Sequence, residues 1–480
     1  MKAEKNHCDV LIIGAGVSGA NIARRLSAYD LDIILADKEV DVSFGTSKAN
    51  SGIIHGGFHH NKKYLKSRLE IQGMMMFDRL RQELDFPFKR CGIVVAALHE
   101  DEMRAIDQLY MQGVDNGVIG LEMCSRERLL ELEPKLHPDV LGGLWVPGGG
   151  IVEPYRFVFT LVESAKKNGV QILTDFKVEH AARVGDEWTV RAEDGRSIKA
   201  RYAVNAAGLF ADEVSSIFGA EDYKIRARKG EYYLLDRMTK ACPDRVIFPV
   251  PTSISKGVLI VPTTEGTVLL GPTAEVVEDK ENMATNRDKL EKILSSTRTL
   301  VPSISESDVI TSFAGSRPTM DDEDFYIAPS SKVPAFIQVA GIESPGLTAS
   351  PAIGEYVKDL LKKEGLKLYE KPDYDPFIGK RPRVMDMSPY DVDKLSQAAP
   401  GYGNMVCRCE KVSEAEIVEA IHAGHSTLDG IKYFTRAQMG RCQGGFCTYK
   451  IIKIIMRETG LSWDEITKNG HQSHILKGVL

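Results

Sequence analysis

A glycine-rich turn near the N-terminus, between an apolar strand and a helix, constrains the fold more than any other feature of the chain. Residues 8–13 read as a strand, residues 14–19 as a tight turn, residues 21–29 as a helix and residues 32–36 as a second strand. These elements in this order form one βαβ unit. The unit predicts the start of a doubly wound parallel sheet, and hence an α/β fold.

The glycines of this turn have the spacing that a dinucleotide site requires. Gly14 permits the tight turn, Gly16 lets the backbone approach a pyrophosphate, and Gly19 allows the helix to pack closely on the strand. The helix N-terminus adds free N–H groups and a positive dipole. Asp37 ends the second strand, where it can accept hydrogen bonds from a ribose hydroxyl. A simple glycine turn with a surface aspartate is the alternative, and the spacing does not separate NAD from FAD.

A polar, glycine-rich run over residues 45–57 follows the second strand directly. Its small residues would let the backbone pass against a flat ring, and its hydroxyl and amide groups could bind the isoalloxazine and the pyrophosphate of FAD. The candidate cofactor contacts in this run are Thr46, Ser47, Asn50 and Ser51. His55, in the same run, is either a catalytic base or a loop histidine bonded to backbone.

Four cysteines near the C-terminus form a second motif. Cys407 and Cys409 make a C-x-C pair, and Cys442 and Cys447 make a C-x4-C pair. Four thiolates are the usual ligands of small iron–sulfur centres, and two short-range pairs let two loops close on one cluster. Structural zinc is the alternative, although zinc sites favour C-x2-C pairs. The remaining four cysteines are scattered, which suggests buried thiols in a reducing compartment.

Size and charge exclude several classes of protein. A chain of 480 residues predicts two or three domains. Its net charge of −6 gives no basic footprint for nucleic acid. No apolar run reaches the roughly 20 residues that a membrane helix needs, and none resembles a leader peptide. We therefore expect a cytoplasmic protein, with peripheral contact at the inner face of the membrane left open.

Four motifs, in chain order, resemble the D-amino-acid-oxidase superfamily of FAD enzymes over nearly the whole of residues 8–365. They are the glycine fingerprint, the run over residues 45–57, Val204-Asn-Ala-Ala-Gly208 and Gly341-Ile-Glu-Ser-Pro-Gly-Leu-Thr348. The resemblance implies an FAD whose N5 accepts a hydride from a carbon that bears OH or NH. It also implies backbone contacts to the cofactor from Gly208, Gly341, Gly346, Leu347 and Thr348.

Two further segments, residues 228–235 and 311–318, resemble the branch with glycerol-3-phosphate dehydrogenases and L-2-hydroxyglutarate oxidases. The resemblance implies that Arg317 grips a substrate carboxylate or phosphate. His55 is the first candidate for the base that takes the hydroxyl proton, with His59 and His60 behind it. Residues 58–60 depart from the Leu-Arg-Tyr that typically follows His-Gly-Gly in aerobic glycerol-3-phosphate dehydrogenases, and Gly346 stands in place of their lysine. Both differences weaken the case for phosphate recognition.

The cysteine module, over roughly residues 404–458, resembles the bacterioferritin-associated-ferredoxin type of 2Fe-2S domain, as found on anaerobic glycerol-3-phosphate dehydrogenases. This resemblance ranks sn-glycerol 3-phosphate first, oxidised to dihydroxyacetone phosphate, with electrons leaving through the cluster to a partner subunit or quinone. The alternatives are dehydrogenation of L-2-hydroxyglutarate, another 2-hydroxy acid or an amino acid. From another class, the chain could be an electron-transfer subunit of a flavoprotein complex with no catalysis of its own.

The predicted organisation is therefore a Rossmann-like FAD-binding domain with an inserted α+β substrate domain and a small helical C-terminal 2Fe-2S domain. Residues 366–403, rich in proline, are predicted to form an extended linker. The predicted bounds are 1–75, 140–215 and 335–365 for the FAD-binding domain, 76–139 and 216–334 for the substrate domain, and 404–480 for the 2Fe-2S domain.

The C-terminal domain carries clear helix signals. Ser413 and Glu416 form a capping box ahead of an apolar stretch, and Gly424 follows that stretch as a stop signal. Two more helices are predicted over residues 428–434 and 446–458. The cluster domain is therefore expected to be mainly helical.

Overall fold

The computed structural model describes residues 6–251 and 257–476. The chain divides into two compact units. The first comprises the described residues up to Lys38 and those from Val42 to Ile378, and the second comprises Glu39–Asp41 and the described residues from Gly379 onward. The first five residues, on which the absence of a leader was judged, lie outside the described residues. No helix in the described ranges is long and apolar enough to cross a membrane.

Strands dominate the first unit and are few in the second. In chain order they are β1 His7–Ile13, β2 Ile33–Ala36, β3 Ile53–Ile54, β4 Phe88–Lys89, β5 Ile93–Ala97, β6 Glu122–Ser125, β7 Gly142–Val146, β8 Gly150–Val152, β9 Gln171–Leu173, β10 Val178–Val184, β11 Glu187–Ala192, β12 Ser197–Asn205, β13 Arg226–Leu235, β14 Val246–Pro249, β15 Leu259–Pro262, β16 Val268–Gly271, β17 Glu275–Val277, β18 Val309–Thr319, β19 Tyr326–Pro329, β20 Phe336–Ala340, β21 Met405–Cys407 and β22 Val412–Ser413.

Helices occur in both units, and three of them form most of the cluster domain. In chain order they are α1 Val17–Leu26, α2 Leu65–Glu83, α3 Glu100–Asp115, α4 Arg126–Leu132, α5 Pro154–Lys167, α6 Ala211–Ile217, α7 Arg287–Leu300, α8 Gly346–Lys363, α9 Pro389–Ala398, α10 Glu414–Ala423, α11 Leu428–Thr435 and α12 Thr448–Thr459.

The first sheet has β1 at its centre, with β2 and β12 parallel to it on either side. Strand β9 runs parallel to β2, and β20 runs parallel to the end of β12, while β10, β11 and β19 add antiparallel edges. Helix α1 packs beside α5 and α8. Because β1 is apolar and buried along most of its length, it suits the centre of a sheet that is covered on both faces. The carboxyl ends of β1, β2 and β12 meet at one edge, where α/β sheets bind their ligands.

The second sheet is mixed, and nine described strands form it. Its order is β17-β13-β16-β15-β14-β5-β7-β6, with β18 on the other edge of β13. Strands β13 and β18 form a long antiparallel pair in which Arg228 lies opposite Arg317. Apolar side chains of this sheet pack with Leu290 and Ile293 of α7 in one core. Full burial of each such side chain contributes roughly 1.5–3 kcal/mol, so this core holds the β13–β18 pair in place.

In the second unit, short helices pack around isoleucines. Ile417, Ile431, Ile451 and Ile455 are fully buried at its centre. The predicted capping box is present: the Ser413 Oγ accepts from the Glu416 N–H, and the Glu416 carboxylate accepts from the Ser413 N–H at 2.8 Å. These caps fix where the helix begins, next to the cluster loops.

Two local predictions are wrong. The helix after the fingerprint begins at Val17, earlier than residue 21, and ends at Leu26, because Gly16 already serves as its N-cap. The segment over residues 366–403 is not extended throughout, since α9 lies within it. Ser388 caps α9 and Pro389 is its first residue, a position where proline costs no hydrogen bond. The domain bounds remain predictions.

Candidate functional site

The turn after β1 is built so that no side chain fits at its glycines. Gly14 has φ +105°, and its N–H donates to the Ala36 carbonyl at 2.7 Å. A Cβ at Gly14 would lie 2.3 Å from the Ala206 carbonyl oxygen, and one at Gly19 would lie 1.9 Å from the Gly14 oxygen. The backbone therefore closes at the edge of the sheet as a dinucleotide-binding turn does.

Two side chains from outside α1 hold this turn. The Ser47 Oγ accepts from the Val17 N–H at 2.9 Å, at a helix N-terminus that Gly16 leaves without a side-chain cap. The Asp37 Oδ2 accepts from the Ala15 N–H at 2.6 Å. Asp37 thus orients the turn from the end of β2, and its predicted bond to a ribose hydroxyl remains a prediction.

Internal hydrogen bonds stiffen the polar run that follows β2. The Thr46 hydroxyl donates to the Ser316 carbonyl at 2.7 Å, which ties the run to β18. The Asn50 amide donates to the Ser47 carbonyl at 2.8 Å and accepts from the Gly52 N–H at 2.9 Å. The run therefore presents its hydroxyl and amide groups in a fixed arrangement.

A cavity of about 740 Å³ lies beside this run, within the first unit. It brings together predicted site residues from distant parts of the sequence: Thr46, Ser47, Asn50, Ser51, His55, His59, His60, Arg317, Gly346 and Leu347. Other predicted residues are not part of its wall: Gly14, Gly16, Gly19, Asp37, Gly208, Gly341 and Thr348. Of these, Gly208 has φ +57° with open space around its Cα, and Gly341 has φ +66°.

His55 is buried and held from two sides. Its N–H donates to the Thr348 Oγ1 at 2.9 Å, and its ring Nε2 lies 3.3 Å from the Ser344 Oγ. The ring meets the Phe248 ring edge-on at a centroid distance of 6.0 Å. Thr348 therefore positions the His55 backbone from behind the cavity wall, while the imidazole lines the cavity. Both sequence interpretations of this histidine are compatible with this geometry.

His59 and His60 also line the cavity, with their rings edge-to-face at 4.8 Å. Neighbouring side chains fix their backbone, since the Gln112 amide donates to the His59 carbonyl and the Ser67 hydroxyl to the His60 carbonyl. These two histidines are therefore ordered parts of the wall, as His55 is.

Among the described residues, four lysine and arginine side chains line the cavity, and sequence reasoning found one of them. Arg317 on β18 lies opposite Arg228 on β13, and no carboxylate among the described residues forms an ion pair with Arg317. Arg226 pairs with Asp321 at 2.9 Å. Lys66 is 5% exposed, and its Nζ lies 3.9 Å from a carboxylate oxygen of Glu343.

Two cations that the sequence analysis missed, Arg228 and Lys66, differ in whether the sequence carries a signal for them. Arg228 stands in a segment that was already noticed, and alternation along β13 could have placed it beside the site. Lys66 opens a charged helix and gives no signal in the sequence. Its location in the wall follows from the packing of α2 against α8.

Tyr232 is a further wall residue that the sequence did not single out. Its ring stacks on Phe313 at 4.8 Å, and its hydroxyl hydrogen-bonds to Ser51. Burial raises the pKa of Tyr232, and the nearby charge of Arg317 opposes that shift. At neutral pH the phenol is therefore a neutral group between the polar run and the arginines.

The four cysteines of the second motif meet in the second unit. The Sγ atoms of Cys407 and Cys409 are 3.8 Å apart, those of Cys409 and Cys442 are 3.7 Å apart, and Cys407 hydrogen-bonds to Cys447. A Cβ at Gly440 would lie 2.5 Å from the Cys409 Sγ, so glycine is needed for the backbone to approach this sulfur. The four thiols thus surround one small volume.

The surroundings of the thiols raise the pKa of Cys407 and Cys409, whereas the hydrogen bond to Cys407 lowers the pKa of Cys447. The hydrogen bond to Cys447, followed by burial, raises the pKa of Cys407. Burial and the neighbouring thiols raise the pKa of Cys409 to about 12.

Comparisons with known proteins agree with both sites. Residues 9–360 match the family described as FAD dependent oxidoreductase (DAO), and residues 405–457 match the BFD-like [2Fe-2S] binding domain. The chain is 40% identical over 472 residues to a glycerol 3-phosphate dehydrogenase of Caloramator mitchellensis, a match that spans 98% of each chain. It is 25% identical to a mitochondrial L-2-hydroxyglutarate dehydrogenase of Arabidopsis thaliana, over 74% of this chain and 83% of that one.

A solved structure agrees with the first unit. The FAD-bound L-alpha-glycerophosphate oxidase of Mycoplasma pneumoniae is 32% identical and superposes with a TM-score of 0.75. The match covers 78% of this chain and 99% of that one. The predicted α/β fold, the FAD and the 2Fe-2S cluster are therefore confirmed.

Proposed function

The chain belongs to the FAD dependent oxidoreductase family and carries a BFD-like 2Fe-2S domain, and from this premise we propose that it oxidises sn-glycerol 3-phosphate to dihydroxyacetone phosphate. We further propose that the electrons leave one at a time through the cluster, to a partner protein or a quinone. The two matches already give the oxidoreductase class, the FAD and the 2Fe-2S cluster, and we therefore propose only the substrate and the electron route.

The residues around the turn after β1 fit FAD. Glycines at positions 14, 16 and 19 leave the backbone bare at the N-terminus of α1, where N–H groups bind a pyrophosphate. Ser47 and Asp37 hold this turn from outside. Thr46, Asn50 and Ser51 would contact the flavin side, since they line the adjoining cavity.

The single observation that carries the substrate assignment is the set of cations in the cavity wall. A phosphate monoester carries about −1.5 to −2 charges at neutral pH. Arg228 and Arg317 approach the cavity from neighbouring strands, and Lys66 approaches it from α2. Arginine binds phosphate and carboxylate oxygens with two parallel N–H bonds. The cations missing from residues 58–60 and 346 are thus supplied from other elements.

In the proposed oxidation, some wall residues would bind the phosphate and another would accept the hydroxyl proton. When bound, FAD supplies the acceptor for the hydride of the carbinol carbon. Arg317 and Arg228 would hold the phosphate and so fix which carbon faces the flavin. The His55 Nε2 would accept the hydroxyl proton, and the Ser344 Oγ at 3.3 Å orients the ring. Loss of one hydride and one proton converts the secondary alcohol to the ketone.

The four thiols fit the cluster, and this fit supports the electron route. Cys407, Cys409, Cys442 and Cys447 would be the ligands, and Gly440 lets the backbone come close to sulfur, where N–H groups offset the negative charge. A two-electron oxidation coupled to a one-electron centre releases its electrons singly. The acceptor is then a one-electron carrier or a quinone.

Anaerobic bleaching of the flavin tests the substrate. Purified protein with both cofactors is mixed with sn-glycerol 3-phosphate, L-2-hydroxyglutarate or glycine, and the flavin absorbance is followed by stopped flow. We expect rapid bleaching with glycerol 3-phosphate and slow or no bleaching with the other two. L-2-hydroxyglutarate is the necessary rival, because it is also a dianion and its dehydrogenases are relatives of this chain.

Two results would contradict the proposal. Faster bleaching by L-2-hydroxyglutarate would reassign the substrate to the 2-hydroxy acids. Flavin that is bound but bleached by none of the three compounds would favour the electron-transfer subunit without catalysis.

A further inference from the structure

The loops around the cluster thiols, together with the start of α12, expose a group of positive charges. Arg408, Lys411, Arg441, Lys450 and Lys453 are all exposed, and we call them the basic face. The chain as a whole is acidic, with a net charge of −6. The basic face is therefore positively charged on a protein whose net charge is negative.

Carboxylates are almost absent from the same loops. Residues 405–411 and 440–453 contain one, Glu410, which is buried and pairs with Arg436 at 3.1 Å. In the described part of the chain, Arg408, Lys411 and Lys450 form no ion pair with any carboxylate. Their charges are thus directed to the surroundings of the protein.

Cations elsewhere in the second unit are arranged differently. Arg457, toward the other end of α12, pairs with Glu414 and Glu458, and Lys468 pairs with Asp429 at 2.8 Å. Within the basic face, the Lys453 ammonium lies over the Tyr449 ring at 4.6 Å. Among the described residues, such ion pairs neutralise Arg457 and Lys468, whereas Arg408, Lys411 and Lys450 near the cluster thiols have none.

An exposed aromatic residue lies among these charges. Phe446 is 80% exposed and directly precedes the ligand Cys447. Tyr449, one turn further on, is 58% exposed and stacks on Trp463 at 5.6 Å. Aromatic side chains and arginines are enriched in protein interfaces, and a few of them carry most of the binding energy. The surface nearest the cluster therefore has the composition of a docking site.

We propose that the basic face docks an acidic one-electron carrier protein that takes electrons from the cluster. This inference rests on the proposed electron route and adds to it the chemistry of the acceptor. Each docked carrier accepts one electron from the reduced cluster. Two carriers are reduced, and two protons are released, for each secondary alcohol oxidised to a ketone.

A protein partner fits this face better than an anionic membrane surface. An interfacial helix needs an apolar face that it can insert into the bilayer. The apolar side of α12 is already buried within the unit, through Ile451, Ile452, Ile454 and Ile455. Phe446 alone would contribute about 1.5–3 kcal/mol by insertion, which gives only marginal binding.

The test uses the cluster reduced chemically, so that it does not depend on the substrate. The full-length holoenzyme is reduced with dithionite, freed of excess reductant, and mixed with oxidised rubredoxin, an acidic one-electron iron protein. Binding is measured separately by calorimetry with both proteins oxidised. Cytochrome c, a basic one-electron carrier, serves as the control of opposite charge. We expect rubredoxin to bind and to be reduced faster, with both effects weakening as salt is added.

Charge reversal locates the effect on the protein. The double variant R408E/K450E should lower rubredoxin affinity and the second-order rate of electron transfer by about tenfold or more at low ionic strength. Its cluster absorbance is checked first, so that a loss of cluster is not mistaken for a loss of docking. The matched double reversal K362E/K363E, on exposed lysines of α8, should leave rubredoxin binding unchanged. Phe446→Ala should weaken binding by more than about fivefold.

Three outcomes would overturn the proposal. The first is rubredoxin that binds no better than cytochrome c, and the second is equal binding by the two double variants. The third is a holoenzyme that binds phosphatidylglycerol vesicles through Arg408 and Lys450 but does not bind rubredoxin. None of these outcomes bears on whether glycerol 3-phosphate bleaches the flavin, so the two proposals fail independently.

Discussion

The two units build their sites in opposite ways. In the cluster domain all four candidate ligand thiols come from two short segments that both lie within residues 407–447. In the first unit the cavity wall draws on residues from Val17 to Leu347. The first kind of site depends on local spacing, whereas the second depends on which strands and helices become neighbours.

The cavity and the basic face also differ in whether carboxylates lie near their cations. In the cavity, Arg226 is paired with Asp321 and Lys66 lies near Glu343, so carboxylates orient two of the wall cations. On the basic face, cations such as Arg408 and Lys450 have no such carboxylates. The cavity is thus arranged to receive a small anion with a defined geometry, and the basic face is arranged to attract a larger one from a distance.

Removal of one cluster ligand should produce the largest effect and separate the two regions. In Cys442→Ala we expect complete loss of the 2Fe-2S absorbance, because a cluster needs all four thiolates. Flavin content and bleaching by glycerol 3-phosphate should remain. Absorption spectra, iron analysis and anaerobic stopped flow measure these quantities. Cys242→Ala, at a half-buried cysteine of the first unit, should keep both cofactors.

Loss of flavin from Cys442→Ala would contradict this expectation, because it would show that the flavin site depends on the cluster site for its folding.

Removal of the unpaired arginine should act only in the cavity. In Arg317→Ala we expect KM for glycerol 3-phosphate to rise by roughly 30- to 150-fold, which corresponds to about 2–3 kcal/mol for lost hydrogen bonds to a charged group. Flavin and cluster should be retained. Steady-state kinetics with an artificial acceptor measures the change. Arg226→Ala is the matched comparison and should cost less, because Arg226 already pairs with Asp321.

An equal rise in KM in the two arginine variants would contradict a specific contact from Arg317. It would show that the arginines of β13 and β18 attract the substrate only through their summed positive charge.

A single methyl group should disturb the cluster without touching its ligands. Gly440→Ala places a Cβ 2.5 Å from the Cys409 sulfur and 2.8 Å from a Glu410 oxygen. We expect lower cluster occupancy and a loss of up to about 3 kcal/mol in the stability of the cluster domain, the usual range for overpacking. Iron content and thermal unfolding measure both. Gly379→Ala, where the added Cβ meets open space, is the control and should be silent.

The support behind His55 should give the smallest effect. Thr348→Val removes the acceptor of the buried His55 N–H, which costs about 1–3 kcal/mol when the group stays unpaired. We expect a lower unfolding temperature and a reduced kcat with little change in KM. Thr348→Ser keeps the hydroxyl and should restore kcat. A loss of kcat that serine does not restore would point to packing of the threonine methyl instead.

Short sequence patterns predicted those parts of the structure that depend on interactions between residues close together in the sequence. The turn at Gly14, each of the two cysteine pairs and the helix capped by Ser413 were visible because each depends on residues within a few positions of one another. Helix α9 was missed because prolines were read as signs of extended chain, although Pro389 stands at a helix start where proline is favourable.

The cavity wall could be predicted only in part. Arg317 was found through a family resemblance, but its neighbour Arg228 becomes its neighbour through the register of β13 and β18. Lys66 enters the wall because α2 packs closely on α8, where a Cβ at Gly73 would lie 2.1 Å from the Thr348 carbonyl. Register and helix packing are set by long-range contacts that spacing along the chain does not encode.

Arg228 and Arg317 face each other across adjacent strands, and like charges placed directly opposite destabilise a sheet. A phosphate dianion bound as proposed would lie near both guanidinium groups and would reduce this repulsion. Saturation with glycerol 3-phosphate should then make the first unit harder to melt.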